Sequence, residues 1–264
     1  MEVSAGLSLT PLQLGVLLLA ALSAGIVDAI AGGGGLISVP ALLWAGLPTQ
    51  LALGTNKGQG IWGTAAALWR YARAGMLAKE RVRFSLPAGF LGSLAGAALL
   101  LLVPGSVLRP LVLLLLVGVA LFLAVRRPQA QSGPPPERSA ARNAAIALAI
   151  AFVIGAYDGF FGPGTGTFLI VAYALWFKAP LGKASADAKV VNFASNLAAM
   201  GLFAFRGIVL WRIALPMAAA QFAGGFIGAH LAVQGGDRRV RWVVLGVVCA
   251  LVLKLGRDSL AALG

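Results

Sequence analysis

Four charged side chains stand where charge is costly. Asp28 lies inside the apolar block Leu12–Ala31 and Asp158 inside the block Ala144–Phe161. Lys57 closes Gly54-Thr-Asn-Lys57, with Gln59 beyond, and Lys189 leads a stretch holding Asn192, Ser195 and Asn196. Insertion scales place an Asp or Lys at mid-membrane near +2.5–3.5 kcal/mol. Four of them total roughly 12 kcal/mol, comparable with a whole protein's stability of about 5–15 kcal/mol. If intramembrane, such groups must be paired or bathed in a water-filled cavity, and either condition describes a transport pathway. Lysine is a compact cation suited to an oxyanion, while Thr55, Asn56, Asn192 and Asn196 supply neutral hydrogen bonds. The bland alternative is that Lys57 and Lys189 snorkel to the headgroups from helix ends.

Beside these charges the chain places glycines that break helices. Gly32, Gly33, Gly34 and Gly35 follow Asp28 closely, and Gly162-Pro-Gly164-Thr165-Gly166 follows Asp158. Each glycine costs about 1 kcal/mol relative to alanine in a helix. A broken helix in a bilayer is tolerated only where its freed backbone groups meet protein, water or ligand. The helix after each break points its N-terminal N–H groups back at it, a setting that attracts an anion. Close packing of small residues is the competing reading. The second run superficially suggests a dinucleotide loop, but no strand precedes it and no βαβ unit surrounds it.

The elements that carry these groups are helices in lipid. Of 264 residues, 59% are hydrophobic and 11% charged, against about 45–50% and about 25% in soluble domains. Further apolar blocks run over Phe84–Val103, Val107–Val125, Ile213–Val233 and Val240–Leu255, near the roughly 20 residues that span about 30 Å of hydrocarbon. The chain therefore reads as an all-α, multi-pass integral protein of the cytoplasmic membrane. The net charge of +13 sits in short clusters between blocks, which fits orientation of loops better than nucleic-acid binding. Cys249 is alone, so no disulfide or zinc site can be built. The start, Met1-Glu-Val-Ser, lacks basic residues and makes a poor signal peptide, so the first block is kept as a span.

Self-comparison divides the chain into two halves. Gly25-Ile-Val-Asp28 aligns with Gly155-Ala-Tyr-Asp158, and the glycine run after each aspartate aligns at the same offset. Beyond the breaks the offset lengthens slightly and then holds: Lys57 faces Lys189, Gly75 faces Gly207, and Gly92-xxx-Gly96 faces Gly224-xxx-Gly228. Residues 1–125 and 143–264 are thus tandem repeats, joined by the Pro- and Arg-rich linker 126–142. Each repeat reads as a long helix, a Gly-rich break, a short half-helix (Leu36–Gly46, Phe168–Phe177) and three more helices. The expected sum is about eight full spans plus two short segments.

Basic residues cluster in Arg70–Arg83, in the linker, after the second short helix at Lys178 and Lys183, and at Arg238–Arg241. Placing these inside puts both termini outside and favours inverted halves with a site between them; Arg206 and Arg212 run against the scheme. Gly92-xxx-Gly96 and its counterpart read as packing seams. His230, the sole histidine, reads as a helix-end residue before a proton relay. No Ser/His/Asp order, His/Cys cluster or P-loop is visible, so neither an enzyme nor a cofactor is expected.

Val27-Asp-Ala-Ile-Ala-Gly-Gly-Gly-Gly-Leu-Ile-Ser-Val-Pro-Ala-Leu-Leu, with Leu53-Gly-Thr-Asn-Lys57, closely resembles the TauE/SafE family of probable membrane transporters. Asp158-Gly-Phe-Phe-Gly-Pro-Gly-Thr-Gly-Thr and Ala188-Lys-Val-Val-Asn-Phe-Ala-Ser-Asn196 resemble the family's second-half pattern. The resemblance covers nearly the whole chain and implies an anion permease, with sulfite and small organosulfonates the substrates usually assigned, often for export. The resulting expectation is a secondary transporter of a small oxyanion, coupled to protons. Lys57 and Lys189 would attract the anion, and Thr55, Asn56, Asn192 and Asn196 would orient it. Backbone N–H groups of Gly32–Gly35 and Gly162–Gly166 would complete the shell, with Asp28 and Asp158 handling the coupling protons. Expected partners are the small anion and lipid, with self-association open. The rivals are a passive anion channel and a cation or metal transporter using Asp28 and Asp158. The scarcity of His, Cys and Met weighs against the latter.

Overall fold

The structure, a computed structural model, describes residues 9–125 and 138–235. Cys249, the Arg238–Arg241 loop, the block Val240–Leu255, the termini and most of the 126–142 linker lie outside the described residues. Those described form nine helices and no strand: α1 (Pro11–Ala31), α2 (Gly35–Trp44), α3 (Thr49–Arg73), α4 (Lys79–Leu102), α5 (Gly105–Val125), α6 (Ala140–Phe160), α7 (Thr165–Phe177), α8 (Leu181–Phe205) and α9 (Trp211–Gly235).

Six of these, α1, α4, α5, α6, α8 and α9, are long and apolar enough to cross a membrane. Helix α3 matches α8 in length at 25 residues but carries too much polar side chain to count by composition. Its polar residues point inward: Thr55, Asn56, Lys57, Gln59 and Thr64 are all buried. That is the reverse of a soluble amphipathic helix, and it follows from lipid being the solvent. The two short apolar helices α2 and α7 stand where half-helices were expected, with α7 beginning earlier than Phe168, at Thr165. Of the eight full spans expected, six are thus identified by length and composition among the described residues.

Local signals explain the boundaries. Thr10 caps α1 through the N–H of Gln13, whose side chain in turn accepts from the Thr10 N–H. Gly32 ends α1 in the left-handed region, φ 78°. Pro48 and Pro180 open α3 and α8 with nearly identical dihedrals, and Gly75 and Gly207 follow both helices at φ 66° and 70°.

The bundle is held by seams of small residues. Gly92 and Gly96 of α4 lie against the carbonyls of Phe152 and Ala156 in α6. Gly224 and Gly228 of α9 lie against those of Leu22 and Ile26 in α1. In lipid, where no hydrophobic drive separates helix from solvent, such close backbone approach supplies the packing energy. A Cβ on Gly96 would run into the Ala156 carbonyl oxygen, whereas one on Gly118 in α5 meets nothing within 4 Å. Gly96→Ala should therefore destabilise the protein by about 1–3 kcal/mol, while Gly118→Ala should be neutral or stabilising by up to about 1 kcal/mol. Unfolding in mixed micelles measures both, and equal midpoints for the two variants would discount the seam.

Candidate functional site

The breaks after α1 and α6 bring the four charged residues together in crossed pairs. Lys57 Nζ lies 2.8 Å from Asp158 Oδ1, and Lys189 Nζ lies 2.9 Å from Asp28 Oδ2. Each lysine thus meets the aspartate from the other half of the chain. Three of the four side chains are nearly sealed, Lys189 at 0%, Lys57 at 3% and Asp158 at 6% exposure, while Asp28 keeps 15%. Water screens little at such depth, so the pairing is what makes the charges tolerable.

Further hydrogen bonds complete the set. Lys57 Nζ also donates to Asn196 Oδ1 at 3.0 Å, and Asn196 Nδ2 donates to Thr64 Oγ1 at 3.3 Å. Ser195 Oγ donates to Asp158 Oδ2, giving that carboxylate a second partner. Asn56 Oδ1 accepts from Ser38 Oγ at 2.6 Å and from Gln59 Nε2 at 3.1 Å.

The break itself is stabilised from neighbouring helices. Carbonyls at the end of α1 have no next turn to receive them. Tyr71 donates to the Ala29 oxygen at 2.8 Å, Ser185 to Ala29 and Ile30 at 3.1 and 3.0 Å, and Thr167 to Ala31 at 2.7 Å. Helices α3, α8 and α7 therefore supply the hydroxyls that let α1 stop inside the bundle. At the second break Tyr157 donates to the Pro163 oxygen and Thr165 to the Gly162 oxygen, both at 2.6 Å.

These groups surround a cavity of about 30 Å³, room for one or two waters. Of the residues singled out in the sequence, Asp28, Gly32, Gly35, Asn56, Lys57, Asp158, Gly162, Thr165, Gly166, Asn192 and Asn196 lie on its wall. Gly33, Gly34, Gly164, Thr55 and Lys189 do not. Lys189 stands behind Asp28, its side chain wholly buried. Thr55 is engaged elsewhere: its Oγ1 accepts from the Leu210 N–H at 3.1 Å, fixing the approach to α9. Its counterpart in the second half of the sequence is Asp187, which accepts from the N–H of Ala78, the residue before α4, at 2.9 Å and from Arg81 in the first turn of α4 at 2.5 Å.

Gly60, Thr64 and Gln221 join the wall without having been singled out. Gln221 carried a readable signal, being a lone amide within the apolar block Ile213–Val233. Ser195, noted in the sequence only as part of the stretch after Lys189, is the partner of Asp158. His230 lies away from the wall, its Nδ1 3.4 Å from Arg70 Nε.

Comparison with known proteins gives consistent results. The family model described as sulfite exporter TauE/SafE matches residues 17–255. A probable membrane transporter protein, ORF9, of Sinorhizobium sp is 38% identical over 246 residues, covering 93% of either chain. The probable membrane transporter protein YfcA of Escherichia coli K12 is 34% identical over 250 residues, covering 95% of this chain and 92% of its own. A probable membrane transporter protein of Haemophilus influenzae is 34% identical over 236 residues, covering 89% and 91%. No solved structure matches the chain.

Proposed function

This chain belongs to the sulfite exporter TauE/SafE family of multi-pass membrane transporters, and on that premise we propose a proton-coupled secondary transporter of a small oxyanion such as sulfite or a sulfonate. The observation that carries the reading is the crossed pairing of Lys57 with Asp158 and Lys189 with Asp28. Two lysines and two aspartates leave the site formally neutral, and neither ammonium is free for an anion. A proton delivered to Asp158 releases Lys57 to an anion in the cavity, and one delivered to Asp28 releases Lys189, which stands behind it. Anion binding then depends on the proton, which is the linkage that coupled transport requires. The small cavity fits a closed state that must widen before an oxyanion enters.

The architecture that suits this chemistry is a pair of inverted repeats rocking about a fixed site. Its support is positional. Pro48 and Pro180, Gly92 and Gly224, and Gly96 and Gly228 occupy equivalent places in the two halves and make equivalent contacts. The partners across the seams correspond as well, Leu22 with Phe152 and Ile26 with Ala156. So do the caps from Thr55 and Asp187.

Reconstituted protein tests the proposal. Labelled sulfite should show counterflow, which a passive channel does not sustain, and its uptake should rise under an inward proton gradient. Asp28→Asn keeps the shape of the side chain and removes its titration. Exchange should persist in that variant while its response to the gradient weakens. Uptake of wild-type protein that ignores the gradient would remove the coupling role. Flux without counterflow would favour the channel.

A further inference from the structure

Resting on the anion reading, we propose that Gln221 of α9, with Asn192 of α8, selects the cargo, and that the cargo is an oxyanion carrying a hydroxyl beside its charged oxygens. Both amides line the cavity, and both residues are only 4% exposed. Gln221 Oε1 and Asn192 Oδ1 have no hydrogen-bond partner among the described residues, and of the buried side-chain oxygens and nitrogens there only Gln59 Oε1, which lies off the wall, shares that state. Other polar groups on the same wall are engaged: Lys57 with Asp158 and Asn196, Asn196 with Thr64, and Asn56 with Ser38 and Gln59. Buried carbonyl oxygens without a donor are rare because they lose hydration and gain nothing for it.

The chemistry of the unmet groups defines what completes them. A carbonyl oxygen accepts only from a donor, and an oxyanion with no hydrogen on oxygen or nitrogen has none to give. Such an anion satisfies a lysine and leaves both amide oxygens unmet. An anion bearing a hydroxyl satisfies both kinds of group at once. Sites built around a hydrogen bond discriminate strongly against an analogue that lacks the partner, since the analogue leaves a buried polar group unpaired.

Gln221 is also placed for this role by its neighbours. A Cβ on Gly63 would lie 2.6 Å from Gln221 Cγ, and one on Gly60 would lie 3.7 Å from Nε2. The bare α3 backbone therefore leaves the space that the amide fills. The position equivalent to Gln221 in the first half is Gly89, which has no side chain. Likewise the position equivalent to Asn192 is Gly60. The two acceptors come from the second half alone, so the cargo is read from one side.

Binding of hydroxymethanesulfonate and ethanesulfonate to the purified full chain tests this. The two monoanions differ by a hydroxyl in place of a methyl. Wild-type protein should bind the hydroxyl-bearing anion at least about 10-fold more tightly. Gln221→Leu removes the amide at similar volume and should bring the ratio of dissociation constants toward one. Gln221→Met serves if the leucine variant does not fold. Equal affinity of wild type for the two anions overturns the inference while leaving the anion reading intact. A ratio unchanged in the folded Gln221 variants overturns the role of that residue. If neither these anions nor sulfite bind, the anion reading falls and this inference with it.

Discussion

Lys57→Met should destabilise the protein by roughly 3–5 kcal/mol, the usual consequence of leaving one member of a buried ion pair alone. The variant strands Asp158, which is 6% exposed and retains Ser195 Oγ as a donor but no countercharge. Adding Asp158→Asn should recover most of that loss, because the stranded charge is then gone. The gain on adding the second substitution is the signature of the pair, and a double-mutant cycle isolates it. Lys189→Met should cost less. Its partner Asp28 keeps 15% exposure and faces the cavity, where water can reach it. Unfolding in mixed micelles gives the midpoints. Additive losses at Lys57 and Asp158 would show that the two groups do not depend on each other. The same variant separates stability from binding: an anion that uses Lys57 loses a charge-assisted contact worth about 1.5–3 kcal/mol, roughly 10- to 150-fold in affinity. A snorkelling lysine would have lost little, but Lys57 is 3% exposed.

Gly32→Ala should be the other severe substitution, and Gly46→Ala shows why. Both glycines occupy the left-handed region, at φ 78° and 91°. An alanine in that region costs about 1–2 kcal/mol through its Cβ and the following carbonyl oxygen. At Gly46 this is the whole effect, because a Cβ there meets nothing within 4 Å. At Gly32 the new carbon would run into the backbone of Gly166 and Thr167. Backbone cannot rotate aside, so overpacking adds about 1–3 kcal/mol, for a total of roughly 2–5 kcal/mol. The functional loss should exceed the stability loss. Gly32 and Gly166 both lie on the cavity wall, and a Cβ on Gly166 would lie 2.9 Å from Asn192 Nδ2. Forcing the two breaks apart therefore displaces Asn192. Matched unfolding midpoints for Gly32→Ala and Gly46→Ala would show that the breaks are not in contact.

A neutral site of crossed pairs has consequences for what can be transported. An anion arriving with both aspartates ionised faces lysines already held at 2.8 and 2.9 Å. It must displace a carboxylate in a nearly dry setting, where removing either partner is costly. On the proposed mechanism, a proton on the aspartate lifts that competition. The proposed order of events, proton first and anion second, follows from that asymmetry.

Composition and block length alone place this chain in a membrane as helices, because a bilayer admits only backbone that satisfies its own hydrogen bonds. The glycine runs mark the breaks, since four successive glycines or Gly-Pro-Gly cannot continue a helix cheaply. The cost of burying charge picks out Asp28, Lys57, Asp158 and Lys189 before any contact is known. What those patterns cannot contain is the partner of each group, because periodicity reports the face of one helix and not the helix it meets. The tertiary structure decides that Lys57 takes Asp158 and not Asp28, that Lys189 retreats behind its aspartate, and that Thr55 holds the Leu210 N–H instead of the cavity. It also brings Gln221 onto the wall. That residue sits in a block whose glycines read only as packing, and the register of those glycines against α1 and α3 is what turns its amide inward. Such a register depends on two surfaces fitting at once, and a single strip of sequence carries only one of them.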